Sequence, residues 1–147
     1  VSQLRVDTIG IARSLVPATA ALLAAVLGVL CYHIGSDRLD FAAHYVAGLG
    51  GTMLLLSILA IRPTSLPRGW AVLGLTMLAC VLGIGCETLF FVDGGFDLVD
   101  VSNQSLGAVT AALIFIVWPV RGVPPTTLWI ILAVLLLGGG AKLVGYF

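Results

Sequence analysis

Histidines and carboxylates recur in this chain at helical spacing. Asp40 and His44 are four residues apart, as are His33 and Asp37, so on a helix each pair shares one face. An imidazole beside a carboxylate suits either a divalent metal ion or proton transfer. Glu87 follows a wholly apolar stretch, and a carboxylate so placed is costly in hydrocarbon unless it is paired or hydrated. Asp100, Asn103, Gln104 and Ser105 gather at the start of a later apolar run. There Asp100 is read as the helix N-cap, accepting from the Ser102 or Asn103 amide. These residues predict a polar pocket of Asp40, His44, Glu87, Asp100 and Gln104. For a metal ion the candidate ligands are His33, Asp37, His44 and Glu87. His33 and His44 also offer nitrogens to a haem or chlorin, since imidazole suits iron. The plainer expectation is that these groups pair with one another and pin the helix ends. Each such hydrogen bond contributes about 0.6 kcal/mol inside a membrane.

Other chemistries find no footing. There is no nucleotide-binding loop, no nucleophile elbow and no HExxH motif. No CxxCH is present to attach a haem. Cys31, Cys80 and Cys86 are an odd set with no CxxC, which argues against a disulfide scaffold or a cysteine-built zinc site. They are read as small buried hydrophobes. Net charge is zero and no basic patch suggests nucleic acid.

The elements that position these residues are transmembrane helices. Of 147 residues, 60% are hydrophobic and 10% charged, against about 45–50% and about 25% in a soluble domain. Lipid must solvate much of that excess. Five runs reach the roughly 20 apolar residues a span requires: about 15–34, 41–61, 70–91, 101–120 and 128–147. The fold class is therefore all-α, a single polytopic bundle over residues 1–147. Pro17 is placed in the first turn of the first helix, where proline is tolerated. Arg5 and Arg13 ahead of it resemble a signal-peptide n-region, but the apolar run is too long, and it is read as a retained helix. Pro63 and Pro67 separate the second and third helices, Gly94 and Gly95 the third and fourth, Pro124 and Pro125 the last two. Links this short make consecutive helices antiparallel neighbours.

Basic residues set the orientation. With the N-terminus in the cytoplasm, Arg5, Arg13, Arg62, Arg68 and Arg121 lie inside, and only Arg38 and Lys142 outside. The acidic residues do the reverse: Asp7 is inside, whereas Asp37, Asp40, Glu87, Asp93, Asp97 and Asp100 are outside. Asp93 and Asp97 are read as solvated loop residues. Trp70, Trp118 and Trp129 fall near cytoplasmic helix ends, as interfacial anchors do. Ala43, Ala47 and Gly51 form a small-xxx-small stripe beside Gly48, suited to close helix packing or to docking on another membrane protein. Gly138, Gly139 and Gly140 mark a weak point or a close-packing site in the last helix.

Asp40-Phe-Ala-Ala-His44, then Gly85-Cys86-Glu87, then Asp97 through Asp100 and Asn103-Gln104 to Gly107 resembles the VanZ-like family of small membrane proteins. That family has an aspartate four residues before a histidine, a later glutamate near the outer end of a helix, and then aspartate-x-x-x-asparagine-x-x-glycine. The likeness covers about residues 37–112, roughly half of the chain. Gln104 stands where the family has asparagine, and the glutamine and arginine that follow its glutamate are missing here. The resemblance implies an envelope protein in a bacterial inner membrane. The expected function is an outward-facing pocket that binds a polar or lipid-linked envelope ligand. Two alternatives stand beside it: an accessory subunit of a larger membrane complex, and a metal-dependent membrane hydrolase. The partners expected are the lipid bilayer and other membrane subunits.

Overall fold

The computed structural model of the chain describes residues 2–62, 64–90 and 96–143, with side chains from Leu15 to Leu89 and from Phe96 to Leu143. It contains α1 (Ser2–Ser36), α2 (Leu39–Ile61), α3 (Arg68–Phe90), α4 (Leu98–Val117) and α5 (Val123–Leu143). No strand occurs among the described residues. Each helix carries a stretch long and apolar enough to cross a membrane, the shortest having 20 residues. At about 1.5 Å per residue that spans the roughly 30 Å hydrocarbon core. The apolar side chains on the outside agree with this: Leu23, Leu27, Met77, Val81, Leu113 and Leu135 are all exposed. The chain is a polytopic integral membrane protein.

Several boundaries differ from the sequence expectation. α1 begins at Ser2, so Pro17 sits inside the helix and not in its first turn. A proline there removes one backbone hydrogen bond, which a long helix tolerates as a local defect. α4 starts at Leu98 and ends at Val117, three residues earlier at both ends than predicted. α5 starts at Val123, with Pro124 and Pro125 in its first turn, where their missing amides cost nothing. α3 starts directly after Pro67, whose carbonyl accepts from the Trp70 and Ala71 amides at 2.9 and 3.2 Å. The expected ends at Phe91 and Phe147, with Pro63, Asp93, Gly94 and Gly95, lie outside the described residues, as do the side chains of Arg5, Asp7 and Arg13.

α2 is the central helix. It packs most extensively along α4 and α5 and also touches α1 and α3. The closest approaches use glycine, because only a missing side chain lets two backbones meet. A Cβ on Gly48 would strike the backbone of Gln104, and one on Gly107 would strike the backbone of Tyr45 and Leu49. α2 and α4 therefore run parallel in a fixed register. Gly140 of α5 rests on Ala43 and Ala47, so those two residues of the small-residue stripe are used within the bundle. Gly138 and Gly139 face open space in an unbroken helix.

The two ends of the bundle differ in character. Arg62, Arg68 and Arg121 mark one end, and His33, His44 and the turn between α1 and α2 mark the other. Near the arginine end the core is aromatic. Trp129 is fully buried, donates to the Met53 carbonyl at 2.8 Å and packs on Phe115 at 5.9 Å between ring centroids. The Arg68 guanidinium lies 4.6 Å over the Phe115 ring. Trp129 is thus a core residue and not an interfacial anchor, because α2 offers its indole a carbonyl. Trp70 and Trp118 do lie exposed, as expected.

Candidate functional site

At the histidine end, α1 closes with the Asp37 and Arg38 amides donating back to the His33 and Tyr32 carbonyls. Asp37 takes a left-handed conformation, φ +51°, which aspartate tolerates better than most residues. Only Asp37 and Arg38 separate α1 from α2. Arg38 then turns onto the first turn of α2. Its Nε and Nη2 donate to the Asp40 carboxylate at 2.6–3.1 Å, and its guanidinium lies 3.8 Å over the Phe41 ring. The bidentate carboxylate pushes the Arg38 pKa up. The Asp40 carboxylate is therefore held by Arg38, although it shares a helical face with His44. A strong local cation two residues away takes it first.

His44 points instead across the α2–α4 interface. Its Nε2 lies 3.4 Å from Asp100 Oδ2, with both side chains about five-sixths buried. Glu87 of α3 comes to the same place and is only 6% exposed. Ligand atoms of His44, Glu87 and Asp100 all lie within 4.8 Å of one another. The register explains the meeting. One turn further into the bundle, Gln104 lies against both Gly48 of α2 and Gly83 of α3, where a Cβ would collide with its backbone and its carboxamide. His44, Glu87 and Asp100 stand one turn back along the same three helices.

The sequence expectation that Asp100 caps α4 is not met. Asp97 caps it, accepting from the Val99 amide at 2.7 Å. Both aspartates fit an N-cap by residue type, and starting the helix at Leu98 frees Asp100 to face inward. Asp97 is thereby a structural residue, half-buried, and more than a solvated loop side chain. His33 and Asp37 pair with each other at 3.3 Å, 58% and 87% exposed, and stand apart from the cluster. The group whose geometry could hold a metal ion is therefore His44, Glu87 and Asp100, with Asp100 in place of the expected His33 and Asp37. The sequence reading also missed Tyr32, whose hydroxyl donates to Asn103 Oδ1 at 2.5 Å and fastens α1 to α4 beside the site.

A groove leads away from the cluster between α3 and α5, which make no contact with each other among the described residues. Its volume is about 410 Å³, within the roughly 300–1,000 Å³ usual for ligand sites. Ala47, Gly48 and Gly51 form its floor, Leu82 and Cys86 one wall, and Leu137 the other, while His44 and Gln104 supply polar groups. Cys31 and Cys86 are exposed and not buried as expected, Cys86 because it stands on the open groove wall.

Fold and site together define a five-helix integral membrane protein with a buried histidine–carboxylate cluster at one end and an apolar groove along its flank. Compared with family models, with curated proteins and with solved structures, the chain matches none of them.

Proposed function

We propose that this protein holds an amphipathic, lipid-linked envelope ligand, its chain in the α3–α5 groove and its polar head toward His44 and Gln104. The carrying observation is that one groove combines an apolar floor open to the flank with polar groups from the cluster end. Ligand sites are mostly apolar, with a few placed polar groups that orient the ligand. The resemblance to the VanZ-like family supports the same reading, with the cluster facing outward from a bacterial inner membrane.

The test is to purify the full chain from native membranes in gentle detergent and identify co-purifying lipids by mass spectrometry. Wild type is expected to retain one amphiphile in near-stoichiometric amount. Gly51→Leu fills the groove where a Cβ meets nothing within 4 Å, and it should lower that amount at least fivefold. Equal retention by the two proteins, or no retained amphiphile, would defeat the reading. A stable larger complex with an empty groove would favour the accessory-subunit alternative.

A further inference from the structure

His44, Glu87 and Asp100 form a cluster whose charges do not balance. Two carboxylates face one imidazole, with ligand atoms within 4.8 Å of one another. Glu87 is 6% exposed, and Asp100 Oδ1 is buried with no hydrogen-bond donor. Among the described residues no arginine or lysine forms an ion pair with either acid. Arg38, the nearest candidate by sequence, is committed to Asp40. Buried charge of one sign is unfavourable without a counter-charge, and a bound cation is one way proteins supply it.

We propose that His44, Glu87 and Asp100 bind a divalent transition-metal ion of the Zn²⁺ or Mn²⁺ class. The donor set is one imidazole nitrogen and two carboxylates, which suits these ions better than the all-oxygen ions Mg²⁺ and Ca²⁺. Two ligands at about 2.0–2.1 Å from a tetrahedral centre stand roughly 3.4 Å apart. That is the separation of His44 Nε2 and Asp100 Oδ2, 3.4 Å. Glu87 offers a carboxylate oxygen within 4.8 Å of both, and any closing needed is within the reach of a side-chain torsion. With neutral imidazole, a 2+ ion cancels the two carboxylate charges. Three protein ligands leave a fourth position open, as at catalytic zinc sites. His44 is the ligand shared with the groove wall. The ion does not require the groove to be filled, so this inference stands or falls apart from the lipid reading.

The experiment uses the full chain in detergent, stripped with chelator and dialysed against Zn²⁺ or Mn²⁺. One ion per chain is expected, and Glu87→Gln and Asp100→Asn should each weaken binding at least 100-fold. Asp40→Asn should leave it within twofold. Binding unchanged in Glu87→Gln, or wild type that takes up neither ion at 100 µM, would overturn the proposal. Pulsed paramagnetic resonance of the Mn²⁺-loaded wild type gives a second readout that needs no variant to fold. It should show coupling to one imidazole nitrogen, lost in His44→Ala. The absence of nitrogen coupling in wild type would equally overturn the site. Metal binding lost with lipid retention kept would remove the ion alone, and the reverse would remove the lipid alone.

Discussion

Asp40 and Asp100 both lie in the first turn of a helix at the histidine end, yet their surroundings diverge. Asp40 is 43% exposed and chelated by an arginine two residues away. Asp100 is 17% exposed, meets a histidine from another helix and has a second carboxylate beside it. The first arrangement is complete within a single turn of chain. The second depends on three helices holding register and leaves one oxygen without a donor. Local sequence can settle a charge at the rim, whereas a charge drawn inward by tertiary packing takes whatever partners the neighbouring helices supply. Natural proteins seldom leave such groups unbalanced except where they work.

The comparison can be broken most severely through the helix register. Gly107→Val would push α4 off the Tyr45 backbone and is expected to cost about 3 kcal/mol or more, since backbone cannot yield as a side chain can. Thermal unfolding in detergent should show a large loss or no folded protein, while Gly138→Ala, with open space around it, stays near wild type. The next effect comes from the ion. At 100 times its dissociation constant, Zn²⁺ should stabilise wild type by about 2.7 kcal/mol and Glu87→Gln by nothing measurable. In chelator the order reverses: Glu87→Gln removes one of two facing carboxylates and should raise the unfolding midpoint, worth about 1 kcal/mol. Away from the site, Trp129→Phe loses the bond to Met53 and should cost about 1 kcal/mol. Smallest of all, Asp40→Asn should leave the midpoint unchanged, because its partner is at the surface. A destabilisation by Asp40→Asn as large as that by Asp100→Asn would erase the distinction between the two aspartates.

Much of the architecture was legible because hydrocarbon imposes a length on every span, and five apolar runs declare themselves by composition. Helix ends were less legible. Pro124 and Pro125 read as a break, although proline is as much at home in a first turn, which is where α5 places them. Asp97 and Asp100 are equivalent cap candidates by type, and only the position of α4 decides between them. His44, Glu87, Asp100 and Gln104 were all named from sequence. Their convergence was expected, but His44 was paired with Asp40 in place of Asp100, because i,i+4 counting registers faces within one helix and is blind to the glycines that bring a second helix closer. Gly48, Gly83 and Gly107 carried that signal; Gly48 drew notice only as the neighbour of a stripe, Gly107 only as the end of a motif, and Gly83 not at all. The same blindness placed Trp129 at the lipid boundary, since nothing in its neighbours along the chain reveals a carbonyl waiting on α2.

The gap between α3 and α5 faces sideways, toward whatever is dissolved in the bilayer. Supply to such a cleft is two-dimensional. Its filling depends on the mole fraction of a molecule among the surrounding lipids, and solubility in water hardly enters. A scarce, long-chained compound with almost no aqueous concentration would still reach it by lateral diffusion. Titrations that count guest per litre would then misjudge affinity, and the natural axis for any saturation curve is guest per lipid.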